Sequence, residues 1–347
     1  MIAGPTACGK TELVHALSTH EDVILGADSR QIFRHLDIGT AKPSPEERSG
    51  RDYHLIDCVD PDQTFTAYDY LREALRVLDA SRGKKIFIAG GTPFYLDAFL
   101  HGFFEQTPLA REVRENAEKL FREGGLSALQ EKVKALDPDY YAVVDRQNPR
   151  RLLRAIEAME TTGETFSALR QKRAGPDLEI LTLIVFRNRK NLLERIEARV
   201  DAMMSAGFPG EVRGLLARGY DPCLSSMTGI GYRELISHIQ GKISLEEATL
   251  LTKQKTRQFA RRQLTWFRKI KNALFLDLNE EGVPTDDPLD EWFYRMPILP
   301  ELEGKEILEV LENAGPFRME KDTGVTGRLG TLVSDFFNDA PVSREKF

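Results

Sequence analysis

The first hundred residues alternate between short apolar runs and stretches of helical spacing. Val23 to Leu25 precede Gly26-Ala27-Asp28, and Lys85-Ile86-Phe87-Ile88-Ala89 precede Gly90-Gly91-Thr92. Strands buried on both faces read as continuous apolar runs, and the glycines and polar residues behind them mark loops at strand carboxyl ends. The alternation therefore predicts βαβ units around a parallel sheet, with the chemistry on those loops. From about Pro108 to Lys172 the pattern turns helical and charged, and strand signals return only at Leu178 to Phe186. The fold class expected is α/β: a core made of residues 1–107 and 179–278, interrupted by a helical insertion at 108–178. Asn191 to Ala217 and Leu245 to Lys271 have helical spacing, and Ala273-Leu274-Phe275-Leu276 is expected to be the last strand, closing the core. Residues 279–347 form a tail rich in Glu, Asp, Gly and Pro, with one amphipathic helix expected at Gly304 to Glu312 and no functional reading.

Composition narrows the function classes. With 41% hydrophobic and 29% charged residues in 347, the chain can bury a large core. A net charge of -6 argues against coating nucleic acid by global attraction, so a nucleic-acid partner would need a local basic surface. Cys8, Cys58 and Cys223 are odd in number and lack zinc-ligand spacing, a pattern suited to a reducing cytoplasm. The chain begins almost at its first motif, which leaves no room for a signal peptide, and no apolar run approaches the ~20 residues that span a bilayer. A cytoplasmic protein with no membrane contact is expected.

That first motif is Gly4-Pro5-Thr6-Ala7-Cys8-Gly9-Lys10-Thr11, which matches G-x-x-x-x-G-K-[ST]. Its glycines let backbone N–H groups wrap phosphate oxygens at a helix start, Lys10 adds a point charge, and the Thr11 hydroxyl can ligate Mg²⁺. On the motif alone the ligand is a nucleoside triphosphate such as ATP. Glu12 to Leu17 reads as the helix that should follow. Only Met1, Ile2 and Ala3 precede Gly4, where such a loop ordinarily follows a strand of about five or six residues. Either that strand is truncated or the start of the chain lies upstream. Cys8 has no base positioned by sequence to make it a nucleophile and is read as a small side chain filling the loop.

Asp28-Ser29-Arg30-Gln31 follows the second strand, so these side chains should face the crevice that the phosphate loop faces. A carboxylate there can take a proton, hold Mg²⁺ or simply shape a turn. Gly39-Thr40-Ala41-Lys42-Pro43 and Tyr53-His54-Leu55-Ile56-Asp57 mark further loops. Farther on, Lys253 to Lys271 reads KQKTRQFARRQLTWFRKIK, eight basic residues without an acid and with Phe259, Trp266 and Phe267 interleaved. A helix so written packs one face on the core and turns another to phosphates, or merely carries a solvated basic face. A second basic group, Arg146, Arg150, Arg151 and Arg154, surrounds Gln147-Asn148-Pro149. Three function classes stay open on these features: a group transferase, a small-molecule or nucleoside kinase using the same loop, and a non-enzymatic nucleotide switch or RNA-binding module.

Taken in order, Gly4 to Thr11, Asp28-Ser29-Arg30-Gln31, Gly39-Thr40-Ala41-Lys42-Pro43, Tyr53 to Asp57, Gly90-Gly91-Thr92, Asn148-Pro149-Arg150-Arg151, Gly229-Ile230-Gly231-Tyr232-Arg233-Glu234 and Thr256 to Arg268 resemble the motifs of tRNA dimethylallyltransferases of bacterial type. The resemblance covers about residues 1–275. It implies a P-loop NTPase-like core whose loop, Gly4, Pro5, Thr6, Ala7, Cys8, Gly9, Lys10 and Thr11, holds the diphosphate of dimethylallyl diphosphate with Mg²⁺. It implies transfer of the dimethylallyl group to N6 of the adenosine just 3′ of the anticodon, by a monomer, with Asp28 as the proton acceptor and with Thr92 and Arg233 stabilising the leaving diphosphate. It further implies contacts to the tRNA anticodon stem-loop from Asp28, Ser29, Arg30, Gln31, Thr92, Arg114, Gln147, Asn148, Pro149, Arg150, Arg151, Arg257 and Arg261. Thr92 also suits a helix N-cap, and Arg233 a solvent-facing helix start. The chain departs from the family at Pro93-Phe94, where Gly and an aliphatic residue are usual. The tail contains no cysteine, and so lacks the zinc-finger extension of some eukaryotic relatives.

Overall fold

The computed structural model describes residues 1–103, 111–171, 175–176, 178, 180–270, 273–278 and 298–299. Seven parallel strands form one sheet: β1 (Ile2–Ala3), β2 (Val23–Ala27), β3 (Asp52–His54), β4 (Ile86–Gly90), β5 (Leu183–Phe186), β6 (Leu274–Asp277) and β7 (Ile298–Leu299). Their order across the sheet is β3-β2-β4-β1-β5-β6-β7. Twelve α-helices complete the described residues: α1 (Lys10–Leu17), α2 (Pro45–Arg48), α3 (Ala67–Ala80), α4 (Pro93–His101), α5 (Arg111–Leu136), α6 (Pro138–Val143), α7 (Pro149–Thr162), α8 (Phe166–Gln171), α9 (Arg189–Ser205), α10 (Phe208–Ala217), α11 (Tyr232–Ile239) and α12 (Leu245–Phe267).

β1 is only two residues long, yet it lies at the centre of the sheet. Ile2 pairs with Ala89 on one side and Leu183 on the other. This arrangement sets aside the neighbouring loops that matter: the ends of β2, β4 and β1 lie side by side, so the segments after Ala27, Gly90 and Ala3 emerge together at the carboxyl edge. Beneath them Leu13, Val14 and Leu17 of α1 pack with Ile24, Val185, Leu192, Ile196 and Ala260 in one apolar core. Fully burying side chains of this size contributes about 1.5–3 kcal/mol each.

Three expectations change. The strand expected over Leu178 to Phe186 is β5, Leu183–Phe186, and its pairing begins where β1 begins, with Leu183 N donating to Met1 O. The helical stretch Asn191 to Ala217 is two helices broken at Gly207, whose φ of 96° is left-handed. The core does not close at the strand containing Leu274 to Leu276, because β7 adds to its free edge through Phe275 and Leu276. The helix expected at Gly304 to Glu312 lies outside the described residues.

The chain divides into two compact units, one of residues 1–65, 76–96 and 177–347, the other of residues 66–75 and 97–176. The second is wider than the 108–178 span read from the helical pattern. Its core joins Leu129, Val133, Leu152, Ile156, Met159, Phe166 and Leu169. Asp137 ties this unit's short helices: its carboxylate caps α6 at Tyr140 N and accepts from both N and Oγ of Ser167. Burial pushes the Asp137 carboxyl up, but these hydrogen bonds outweigh it and hold the group below the usual carboxylate range.

Candidate active site

The phosphate loop joins β1 to α1 in a shape the sequence permits at few other places. Gly4 lies so close to β5 that a Cβ on it would meet Val185 O at 2.2 Å. Ala7 (φ 66°) and Gly9 (φ 106°) are left-handed, a conformation costly for alanine and ordinary for glycine. The loop is braced from outside. Arg195 Nε donates to Ala7 O at 2.8 Å, and Arg187 Nε to Cys8 O at 3.0 Å. Lys10 Nζ donates to Pro5 O at 2.6 Å, while Thr11 is partly buried in the first turn of α1. Cys8 is fully buried and belongs to the apolar core.

A glutamine of the Thr256 to Arg268 segment, given no role by that motif, links this loop to the one after β4. Gln263 of α12, 3% exposed, accepts from Thr6 N at 2.9 Å and donates to Gly91 O at 2.6 Å. One amide thus registers the loops after β1 and β4. Its sequence signal is its position: Ala260, Gln263 and Phe267 share the buried stripe of α12, and a glutamine in an apolar stripe needs partners.

The loop after β2 is organised by its own aspartate. Asp28 Oδ1 accepts from Arg30 N at 2.8 Å and from Gln31 N at 3.4 Å, a turn typical of aspartate. Thr92 Oγ1 accepts from Ser29 N at 2.8 Å and lies 3.3 Å from Ser29 Oγ, so the threonine side chain connects the β4 loop to the β2 loop. Its carbonyl accepts from Tyr95 N and Leu96 N at the start of α4. Pro93, where the family pattern has glycine, is the first residue of α4, a position that tolerates proline; Phe94 is 75% exposed and Tyr95 buried. Arg30 Nη1 donates to Ser225 O and Ser226 O, and Gln31 Nε2 to Thr40 O and Ala41 O at 3.1 Å each. Burial lowers the Arg30 guanidinium, and the like charge of Arg233 adds to that effect.

These loops open on a cleft of about 320 Å³. The strand-end loops contribute Thr6, Asp28, Ser29, Arg30 and Thr92; the helices and the segment before α11 contribute Arg199, Val200, Met203, Phe208, Ile230, Tyr232, Phe259 and Arg262. Polar groups near the phosphate loop thus meet a largely apolar helical wall. Lys10 and the exposed Arg233 do not line it. A neighbouring cavity of about 650 Å³ shares Arg199 and Met203 with it.

The wall is fixed by Glu211, which sequence reasoning did not single out. Its carboxylate accepts from Asp37 N, Ile38 N and Gly39 N and from Tyr232 Oη. Gly39 is packed so closely that a Cβ would meet the Phe208 ring at 2.1 Å. Burial, reinforced by Glu211, pushes the Tyr232 phenol well above its usual value, so it remains a donor. Lys42, in the same segment, is buried among Phe33 O, Asp37 and Asp57.

The basic stripe of α12 splits. Lys253 pairs with Asp201 at 2.7 Å, Lys255 with Glu234 at 2.6 Å and Arg257 with Glu197 at 2.7 Å. Arg261 and Arg262 are exposed, the latter 5.9 Å from the Phe259 ring centroid. In the other unit Asn148 caps α7 at Arg151 N and Pro149 is its first residue, while Gln147, Arg150 and Arg151 are exposed. Arg114 lies 3.8 Å from Glu157.

Among the described residues no group of three or more His, Cys, Asp or Glu is gathered to hold a metal. Mg²⁺ binds through one or two protein oxygens together with substrate phosphates and its own waters, and the Thr11 hydroxyl at the loop fits that sparse requirement. No described helix is long and apolar enough to cross a membrane.

The IPP transferase family model matches residues 31–270. The chain is 39% identical over 289 residues to the tRNA dimethylallyltransferase of Thermotoga maritima, covering 82% of this chain and 93% of that one. It is 43% identical over 279 residues to that of Roseiflexus castenholzii, covering 79% and 91%. Its fold matches the crystal structure of the full-length tRNA isopentenylpyrophosphate transferase from Bacillus halodurans with a TM-score of 0.58 at 31% identity, over 90% of this chain and 98% of that one. A eukaryotic dimethylallyltransferase acting on tRNA shares the fold with a TM-score of 0.69 at 24% identity, over 80% and 73% of the two chains.

Proposed function

Because the chain belongs to the IPP transferase family, we propose that it transfers the dimethylallyl group of dimethylallyl diphosphate to N6 of the adenosine immediately 3′ of the anticodon in tRNA, giving N6-isopentenyladenosine. The observation that carries this reading is the cleft itself: a phosphate loop and a carboxylate at one set of strand ends, facing a wall to which α9 and α10 contribute Val200, Met203 and Phe208 and the segment before α11 contributes Ile230. An allylic diphosphate has that polarity, one polyanionic end and one small hydrocarbon end.

The exocyclic amine of adenine is a poor nucleophile because its lone pair is delocalised into the ring. Asp28 lines the cleft with Oδ1 already engaged by backbone N–H groups, which leaves Oδ2 to take the N6 proton as the new C–N bond forms. Departure of diphosphate puts charge on its bridging oxygen. The backbone N–H groups of Gly4 to Thr11, Lys10, Thr92 and Arg233 are assigned to that charge. Lys10 Nζ commits one of its three N–H donors to Pro5 O, which leaves the others for the phosphate oxygens. The Thr11 hydroxyl would hold Mg²⁺ together with substrate phosphate, and the ion would offset part of the same charge.

The adenine must leave its stack to reach such a cleft. Ser29, Arg30 and Gln31 are assigned to the displaced nucleotide; Arg257, Arg261 and, in the second unit, Arg114, Gln147, Asn148, Pro149, Arg150 and Arg151 are assigned to the anticodon stem-loop. The protein is proposed to act as a cytoplasmic monomer.

Incubation with labelled dimethylallyl diphosphate, Mg²⁺ and unmodified tRNA carrying adenosine next to the anticodon tests this reading. Label on that base is expected. A folded sample that leaves the base unlabelled, or that turns over ATP without RNA, overturns it in favour of the kinase class.

A further inference from the structure

A phenyl ring stands in solvent beside the cleft. Phe94 is 75% exposed, more than any other large apolar residue among the described ones, and the rest of that exposed group is aliphatic. Single apolar side chains on a surface are ordinary and need no explanation of themselves. The place of this one asks for one. Thr92, two residues earlier, lines the cleft, whereas Phe94 does not, and Phe94 and every residue lining the cleft belong to the same compact unit.

The backbone that carries the ring is tied down on both sides. Thr92 N donates to Ala27 O at 3.1 Å, Thr92 Oγ1 accepts from Ser29 N at 2.8 Å, and Thr92 O accepts from Tyr95 N and Leu96 N. Pro93 fixes φ at the first residue of α4, and Tyr95 and Leu96, which follow the ring, are buried. A helical side chain leans toward the N-terminus of its helix. Because α4 begins where β4 ends, that lean carries the Phe94 ring toward the carboxyl edge of the sheet, the edge on which the cleft opens. The ring is thus set beside the mouth on a backbone that has little freedom left for a ligand to take away.

An adenosine that enters the cleft leaves its two neighbours in the loop outside, still joined to it through phosphates. Extrusion strips stacking from a face of each neighbour, and an exposed aromatic ring recognises such a face whatever the base. We propose that Phe94 binds tRNA by stacking its ring on a base next to the reactive adenosine in the anticodon loop. This rests on the reading that the cleft takes that adenosine. The contact returns part of the stacking lost on extrusion, and so lowers the cost of presenting N6 to Asp28. The aliphatic residue usual at this position in the family has no π face to offer, so stacking of this kind is particular to chains with a ring here.

Equilibrium binding of an unmodified anticodon stem-loop to the full-length protein tests the contact apart from turnover. Phe94→Ala should weaken binding about 5- to 100-fold, the range for one base–aromatic stack; Phe94→Trp should keep wild-type affinity and Phe94→Leu should fall between. The salt dependence should not change, because no phosphate contact is lost. Pyrophosphate affinity and Tm should hold, because the ring lies outside the cleft and in solvent. Stem-loops made abasic on the 5′ or the 3′ side of the adenosine identify the partner: wild type and Phe94→Ala should bind one of them equally and still differ on the other. Stem-loop affinity of Phe94→Ala within about twofold of wild type, below that range, overturns the proposal, as does a difference that both abasic stem-loops leave intact. So does a wild-type dimer that Phe94→Ala splits with stem-loop affinity unchanged, which assigns the ring to a second copy of the chain. Wild-type protein that binds no stem-loop removes the parent reading and this one together, whereas binding that survives loss of the ring removes this one alone.

Discussion

The phosphate loop and the basic stripe of α12 read alike in sequence, each a run whose positive residues point to phosphate. In the fold they are prepared in opposite ways. At the loop, cations and an amide from distant parts of the chain are spent on the protein's own backbone: Arg187 and Arg195 hold loop carbonyls, and Gln263 joins Thr6 to Gly91. Along α12, three basic residues are spent on acids of α9 and α11, and Arg261 and Arg262 face solvent without such partners among the described residues. The lesson is that a basic residue counted along the chain is available to a ligand only if no neighbour has claimed it.

The largest effect should come from the cleft. Asp28→Ala is expected to reduce dimethylallyl transfer by at least about 100-fold while tRNA affinity, read by filter binding, stays near wild type; wild-type rates would remove Asp28 from the chemistry. Next comes the bracing. Gln263→Leu leaves Thr6 N and Gly91 O without their partner, and should cost about 2–4 kcal/mol in denaturant unfolding together with weaker donor binding. Unchanged stability would show that the two loops hold their register without the amide.

The stripe offers a smaller and more discriminating test. Replacing Arg261 and Arg262 with Gln should lower the salt dependence of tRNA binding by about one to two phosphate equivalents. Replacing Lys253 and Arg257 with Gln should change it by less, because Lys253 is balanced by Asp201 and Arg257 meets the stem-loop only by giving up Glu197, and should cost no more than about 1 kcal/mol per lost surface pair. Equal slopes for the two double variants would erase the distinction between the halves of α12.

Much of the architecture is local and therefore readable. Val23 to Leu25 and Ile86 to Ala89 carry the apolar runs of buried parallel strands, and the loop motif is contiguous. Element lengths are less readable, since β5 begins only where β1 and β6 flank it and Gly207 divides a stretch whose spacing alone suggests one helix. Of the site, residues in motifs could be named before the fold was known. Glu211 and Arg199 lie outside them, and Gln263, inside the Thr256 to Arg268 segment, could be given no role, because each reaches across more than 150 positions of sequence to a backbone or hydroxyl group. No spacing rule reports such pairs. A buried-stripe position for Gln263 was the one available hint.

Three consecutive N–H groups converging on an anion is how many proteins seize a phosphate. At Asp37, Ile38 and Gly39 that receptor exists, and Glu211 fills it. The segment is its own ligand's host, a lock delivered with its key already turned. The cleft wall therefore requires no guest to give it shape, and a substrate entering beside it need not spend binding energy on putting that wall in order.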